Sequence, residues 1–155
     1  MSHKWTASRI KAAKGKHKLA CLTSCDYVTA RAIDAAGIQL VLVGDSLAMT
    51  ALGYETTLPI TMEEMLHHTA AVSRGVKDAL VVADMPFMSY QASSDDALKN
   101  AGSFIKKANA SAVKIEGGCH RADLVSRMIQ NGIPVLGHIG LTPQSIHALG
   151  GYKVQ

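Results

Sequence analysis

Apolar residues fall along this chain in short unbroken runs. Each run is closed by a polar or acidic residue, and stretches of helical periodicity lie between them. The clearest run is residues 40–43, LVLV, followed at once by Gly44, Asp45 and Ser46. A run of this kind suits a strand buried on both faces, as in a parallel sheet. Residues 19–26 (LACLTSCD), 79–86 (ALVVADMP), 112–118 (AVKIEGG) and 134–140 (PVLGHIG) repeat the pattern. The second strand is taken to run to Asp45. Helices are predicted over 27–36 with a stop at Gly37, over 61–74 with a stop at Gly75, over 93–108, and over 121–130 ended by Asn131-Gly132. Thr61 and Glu64 form a T-x-x-E capping box, with Ile60 and Met65 at the staple positions. Ser93-Ser94-Asp95-Asp96 suits the positive end of the next helix. A short basic helix over 4–15 leads in, and a turn opens at LTPQS, 141–145. The loop over 49–58 is long for such a connection, and loops of that length are often functional.

Five strands alternating with helices predict right-handed βαβ units and a parallel α/β sheet. On spacing alone two architectures fit, an open doubly wound sheet and a (β/α)8 barrel. A barrel needs about 250 residues, so 155 residues would supply its first five βα units. No G-x-G-x-x-G or G-x-x-x-x-G-K-[ST] loop is present, which counts against a nucleotide-binding open sheet.

Composition adds little to the fold. At 48% hydrophobic and 18% charged, the chain can build a core and is not of the disordered type. The net charge of +4 is unevenly placed. Lys4, Arg9, Lys11, Lys14, Lys16 and Lys18 precede the first acid, Asp26. This stretch reads as a solvated helix leading into the first strand; a transit peptide is the alternative. No aromatic-rich basic face accompanies it, and no apolar run approaches the roughly 18 residues of a membrane span. Neither nucleic acid nor membrane is expected as a partner. Cys21, Cys25 and Cys119 lack metal spacing and read as reduced thiols of a cytoplasmic protein. Cys21 and Cys25 are expected on one face of the first strand, as small buried residues. Cys119-His120 follows a strand end and is a weak pointer to a site.

Ligands in α/β folds bind at the carboxyl ends of strands. The second strand brings Asp45 and Ser46 there, the third Asp84, the fourth Lys114 and Glu116, and the fifth His138. Lys114 and Glu116, two apart, share a face. Each has a bland reading: a helix cap for Asp45, a structural ion pair for Lys114 and Glu116, a core histidine for His138. Together, three carboxylates on one rim would repel unless they share protons or a cation. An all-oxygen set of this kind suits Mg²⁺. Lys114 would then neutralise an anionic substrate group, giving metal-assisted chemistry on a small anion.

The chain resembles the ketopantoate hydroxymethyltransferases. The resemblance rests on LVLVGDSLAMT at 40–50, TLPIT at 57–61, HHTAAVSRG at 67–75, ADMPFMSY at 83–90, AVKIEGG at 112–118 and GHIGLTPQSIHALGGYKVQ at 137–155. Ala48 stands where the family usually has Gly. The resemblance implies a (β/α)8 barrel and Mg²⁺-dependent transfer of a hydroxymethyl group. The donor it implies is 5,10-methylenetetrahydrofolate, the acceptor 3-methyl-2-oxobutanoate and the product 2-dehydropantoate. It makes Asp45, Asp84 and Glu116 metal-site residues, places Asp45, Ser46, Asp84 and Lys114 on the keto acid, and has His138 line the site. It also implies a homo-oligomer. The family's proton acceptor is a Glu at the end of the sixth strand, so this chain is expected to be an incomplete member lacking that base. The competing expectations are a Mg²⁺-dependent enzyme of the phosphoenolpyruvate mutase and isocitrate lyase group, though no K-K-C-G-H motif is present, and a non-catalytic assembly fragment.

Overall fold

A computed structural model describes residues 4–151. Residues 152–155, the end of the last quoted motif, and residues 1–3 of the basic lead-in lie outside the described residues. The strands are β1 (Cys21–Thr23), β2 (Leu40–Val43), β3 (Leu80–Asp84), β4 (Ala112–Glu116) and β5 (Val135–His138). The helices are α1 (Ala7–Ala12), α2 (Tyr27–Ala35), α3 (Leu47–Thr50), α4 (Met62–Gly75), α5 (Ser94–Ala108), α6 (Ala122–Gln130) and α7 (Ile146–Leu149). Short 3₁₀ turns at Cys119–Arg121 and Pro143–Ser145 precede α6 and α7.

All five strands are parallel and pair in chain order, β1-β2-β3-β4-β5. That order decides between the two architectures. A doubly wound sheet reverses its direction of growth at a switch point, whereas a barrel adds each strand beside the last. The chain therefore builds five consecutive βα units of barrel type.

Local chemistry explains where the helices begin. The Thr61 hydroxyl accepts from the Glu64 N–H at 3.2 Å, and the Glu64 carboxylate accepts from the Thr61 N–H at 2.8 Å, so the capping box closes as expected. Ile60 and Met65, the staple pair, are both buried. Ser93 caps α5, whose first turn carries Asp95 and Asp96 and whose last turn carries Lys106 and Lys107. At the α2–α4 crossing a Cβ on Gly75 would stand 2.7 Å from the Tyr27 carbonyl oxygen, so only glycine lets the helices approach this closely.

The first strand differs from expectation. It is confined to Cys21–Thr23, all exposed, because β1 is an edge strand. Cys21 is exposed and Cys25, half-buried, lies past the strand end, so the two are not the buried pair the sequence predicted. All three cysteines are free thiols. Asp26 does not face the strand-end rim; it caps α2 by accepting the Thr29 N–H at 2.8 Å.

Alternation along β2, β3 and β4 makes two cores. Val41, Val43, Val81, Ala83, Val113 and Ile115 pack outward against helix residues such as Met65, Val72, Phe104 and Met128. Burying side chains of this size stabilises by roughly 1.5–3 kcal/mol each. Leu40, Leu80, Val82 and Ala112 point inward. Trp5 and Ile10 pack against this inner cluster, and the Trp5 N–H donates to the Asp78 carbonyl at 2.6 Å. The basic lead-in is thus more than a solvated connector. Its lysines are exposed, while its apolar residues close the bottom of the half-barrel.

Candidate functional site

Register turns the inner face from apolar to polar at one level. Leu42, Val82 and Ala112 form an apolar row; one residue pair further, Asp84 stands beside Lys114, and beyond that Glu116 stands beside His138. The polar residues therefore occupy the carboxyl ends of β3, β4 and β5 above an apolar floor. Asp45 joins them from just past β2, its backbone N–H donating to Asp84 Oδ2 at 3.2 Å. Asp45, Asp84, Lys114 and Glu116 are all buried.

The contacts within this nest are short. Lys114 Nζ donates to both oxygens of Asp84 at 2.7 Å and stands 3.6 Å from Glu116 Oε1. Glu116 Oε1 also meets His138 Nδ1 at 3.1 Å, and Glu116 Oε2 accepts the Gln144 backbone N–H at 3.0 Å. Ser46 is the exposed member of the set, at the start of α3, where its hydroxyl caps nothing. A Cβ on Gly44 would lie 3.1 Å from Ser46 Oγ and 3.9 Å from Asp84 Oδ2, so the glycine keeps open the space between them.

The charges do not balance. Three buried carboxylates face one buried ammonium, and unbalanced buried charge is expensive. Burial first, and then the Asp45 charge, push the Asp84 carboxyl up to about 7, against the opposing pull of Lys114. The nest therefore calls for either a proton or a cation. Hard oxygen donors in an electron-rich pocket match Mg²⁺ in donor type, and Asp45 with Asp84 are the pair brought together. Glu116 is held apart by its own partners. Among the described residues no group of three or more His, Cys, Asp or Glu converges as a metal cluster. Lys114 occupies the position between Asp84 and Glu116 that a three-carboxylate set would need.

Gln144 and Tyr90 are residues that sequence reading missed. Gln144, 5% exposed, donates from Nε2 to Asp45 Oδ2 and to the Met85 carbonyl, each at 2.9 Å. Its Oε1 accepts from Tyr90 at 2.6 Å and from Gln91 at 3.0 Å. The Glu116 N–H in turn donates to the Tyr90 hydroxyl at 3.0 Å. Burial pushes the Tyr90 hydroxyl far above its ordinary range, so it stays a neutral donor. The loop after β5 is thereby strapped across the ends of β2, β3 and β4. A Gln directly after the helix-opening Thr142-Pro143 was the available signal, but it carries no periodicity. The predicted 49–58 loop is partly α3, and its buried Thr57 hydroxyl lacks a partner among the described residues. Cys119 stays exposed, whereas His120 lines a cleft of about 400 Å³ that opens beside Glu116 and Gln144.

The ketopantoate hydroxymethyltransferase family profile matches residues 4–155. The chain belongs to that family. It is 57% identical over 153 residues to 3-methyl-2-oxobutanoate hydroxymethyltransferase of Koribacter versatilis, covering 98% of this chain and 52% of that one. It is 59% identical over 151 residues to the enzyme of that name from Carboxydothermus hydrogenoformans, covering 97% and 55%. The chain thus spans about half the length of the curated relatives it matches. Among solved structures it resembles 2,3-dimethylmalate lyase, described as a PEP mutase/isocitrate lyase superfamily member, with TM-score 0.63 and 14% identity over 84% of this chain and 50% of that one. At that identity the likeness concerns the fold, and it agrees with the barrel-type strand order. The mutase and lyase alternative therefore survives as a shared architecture, while sequence identity assigns the chain to the transferases.

Proposed function

We propose that this chain carries the metal and keto-acid part of a hydroxymethyltransferase site. The reaction is transfer of a hydroxymethyl group from 5,10-methylenetetrahydrofolate to 3-methyl-2-oxobutanoate, giving 2-dehydropantoate. The observation that carries this reading is the buried Asp45–Asp84–Lys114 nest on the carboxyl rim of a half-barrel whose sequence belongs to this family. Asp45 and Asp84 would hold Mg²⁺, with Glu116 behind Lys114. When bound, the ion would act as a Lewis acid that acidifies the C3 proton of the keto acid.

The chain's own residues do the rest. Lys114, fixed by Asp84 and near Glu116, offers a positive charge to the substrate carboxylate. Ser46, free of capping duty, offers an exposed hydroxyl beside Gly44. Glu116 holds His138 through Nδ1, which leaves the imidazole, 32% exposed, facing the rim. The family's proton acceptor is assigned by the resemblance to a sixth strand, so His138 is read as lining the site. Homo-oligomer formation belongs to the same reading.

Calorimetric titration with 3-methyl-2-oxobutanoate in the presence and absence of Mg²⁺ tests it. Metal-dependent binding that is lost in Asp84→Ala is expected. Binding that ignores both the metal and Asp84 would overturn the proposal. Deuterium exchange at C3, followed by NMR, separates binding from proton removal in the same sample.

A further inference from the structure

Gln144 does more than fasten a loop. Its buried amide lies between the Asp45 carboxylate and the Met85 carbonyl and donates from Nε2 to each at 2.9 Å. Its Oε1 accepts from the Tyr90 hydroxyl at 2.6 Å and from Gln91 at 3.0 Å. A flipped amide would set its oxygen against two acceptors, Asp45 Oδ2 and the Met85 carbonyl, so chemistry fixes the orientation. The supports of the amide are held in turn. The Tyr90 hydroxyl accepts the Glu116 N–H at 3.0 Å, and the backbone N–H of Gln144 donates to Glu116 Oε2 at 3.0 Å.

The consequence falls on Asp45. Gln144 takes Oδ2, and no hydrogen bond reaches Oδ1 among the described residues. A carboxylate tied at one oxygen offers the other to an ion and resists turning to offer both. Asp84 is restricted by a different contact. Lys114 Nζ stands 2.7 Å from each of its oxygens, in the place a chelated ion would take, and Oδ2 also accepts the Asp45 N–H at 3.2 Å. Neither carboxylate therefore has both oxygens free for one ion. Mg²⁺ is content with such a site, because it binds through one or two carboxylates and fills its octahedron with water or substrate oxygens. Ca²⁺ gathers more oxygens in a looser shell and readily takes a carboxylate through both.

We infer that Gln144 is a positioning residue for metal choice: by holding Asp45 to ligation through one oxygen, it selects Mg²⁺ over Ca²⁺. The inference rests on the reading of Asp45 and Asp84 as metal ligands proposed above, and adds the residue that sets which ion they accept. Partners of this kind orient a ligand without touching the metal. A neutral amide suits the role better than a cation. It donates to Asp45 without neutralising it, so the carboxylate keeps its charge for the ion.

The test titrates the chain as it stands with Mg²⁺ and with Ca²⁺, separately, by calorimetry at constant ionic strength. Wild type is expected to bind Mg²⁺ more tightly than Ca²⁺. Gln144→Leu frees Asp45 Oδ2 and should weaken Mg²⁺ by about tenfold while leaving Ca²⁺ unchanged or tighter, so that the preference narrows by at least about tenfold. A merely structural role would weaken both ions alike. Tyr90→Phe keeps the ring and removes the hydroxyl that holds Gln144 Oε1. It should narrow the preference in the same direction by a smaller factor, and it carries the test if Gln144→Leu lowers the melting temperature. Equal weakening of both ions, an unchanged preference in the variants, or a wild-type preference for Ca²⁺ would overturn the inference and leave Asp45 and Asp84 as metal ligands. No metal binding to wild type, or binding that persists undiminished in Asp84→Ala, would overturn the metal reading and this inference with it.

Discussion

Lys114 holds both oxygens of Asp84 at 2.7 Å inside a pocket with two further buried carboxylates. Removing one partner of such a pair leaves an uncompensated buried charge. Lys114→Met is therefore expected to destabilise by about 3–5 kcal/mol, read from urea denaturation at neutral pH. Gln144 makes a different case, because its amide serves four separate groups. Gln144→Leu fills similar volume but strands the Asp45 oxygen and the Met85 carbonyl. The expected loss is roughly 2–3 kcal/mol, from more than one unmade buried hydrogen bond, together with weaker metal-dependent keto-acid binding by calorimetry. The charged residues were legible in advance because each sits where an apolar run ends. Gln144 was not, since its importance comes entirely from the distant groups it reaches.

Elements meet through a few specific contacts. Asp34, on α2, accepts backbone N–H groups from Lys77 at 2.9 Å and Ala79 at 2.8 Å, tying α2 to the turn before β3. Burial works to raise its pKa, yet the three backbone donors of 77–79 outweigh it and leave it lowered. A carboxylate with a lowered folded pKa binds fewer protons folded than unfolded, so its stabilisation is present above the unfolded pKa. It is lost as pH falls below the ordinary carboxylate range through the folded value. Wild type should thus show a steeper acid decline than Asp34→Ala, and the variant should lose about 1–3 kcal/mol at neutral pH, both from urea midpoints across pH 2–7. At the same junction Gly75→Ala would press on the Tyr27 carbonyl, and overpacking costs typically 1–3 kcal/mol. The capping box was readable because both its residues lie within one turn. The Asp34 tie spans 43–45 residues of sequence and left no local trace.

Across the whole molecule, one inner face carries two jobs. Its lower rows are apolar and packed against by Trp5 and Ile10, and its upper rows hold the charged nest. The nest itself is buried, and a low local dielectric strengthens charge interactions there. Trp5→Ala should open the apolar floor and lower stability by about 2 kcal/mol, less than the 3–5 kcal/mol of a fully buried ring, checked by thermal melting. On the function proposed above, Mg²⁺ and keto acid together should raise the melting temperature by mass action, as ligands of the folded state do.

Short-range chemistry determined the elements from the sequence alone: five strand-forming runs, the helix starts at Thr61 and Ser93, and a strand-end polar residue on each of β3, β4 and β5. Side-chain alternation even put Lys114 and Glu116 on one face before any pairing was known. Only the tertiary structure decided that the strands add in chain order, that Cys21 lies on an exposed edge, and that the basic lead-in plugs the inner face. It alone placed Lys114 between Asp84 and Glu116 and strapped Gln144 across the rim. Those outcomes depend on which distant segments become neighbours, and the free energy of a buried charge or amide is set by those neighbours, not by the residues beside it in the chain.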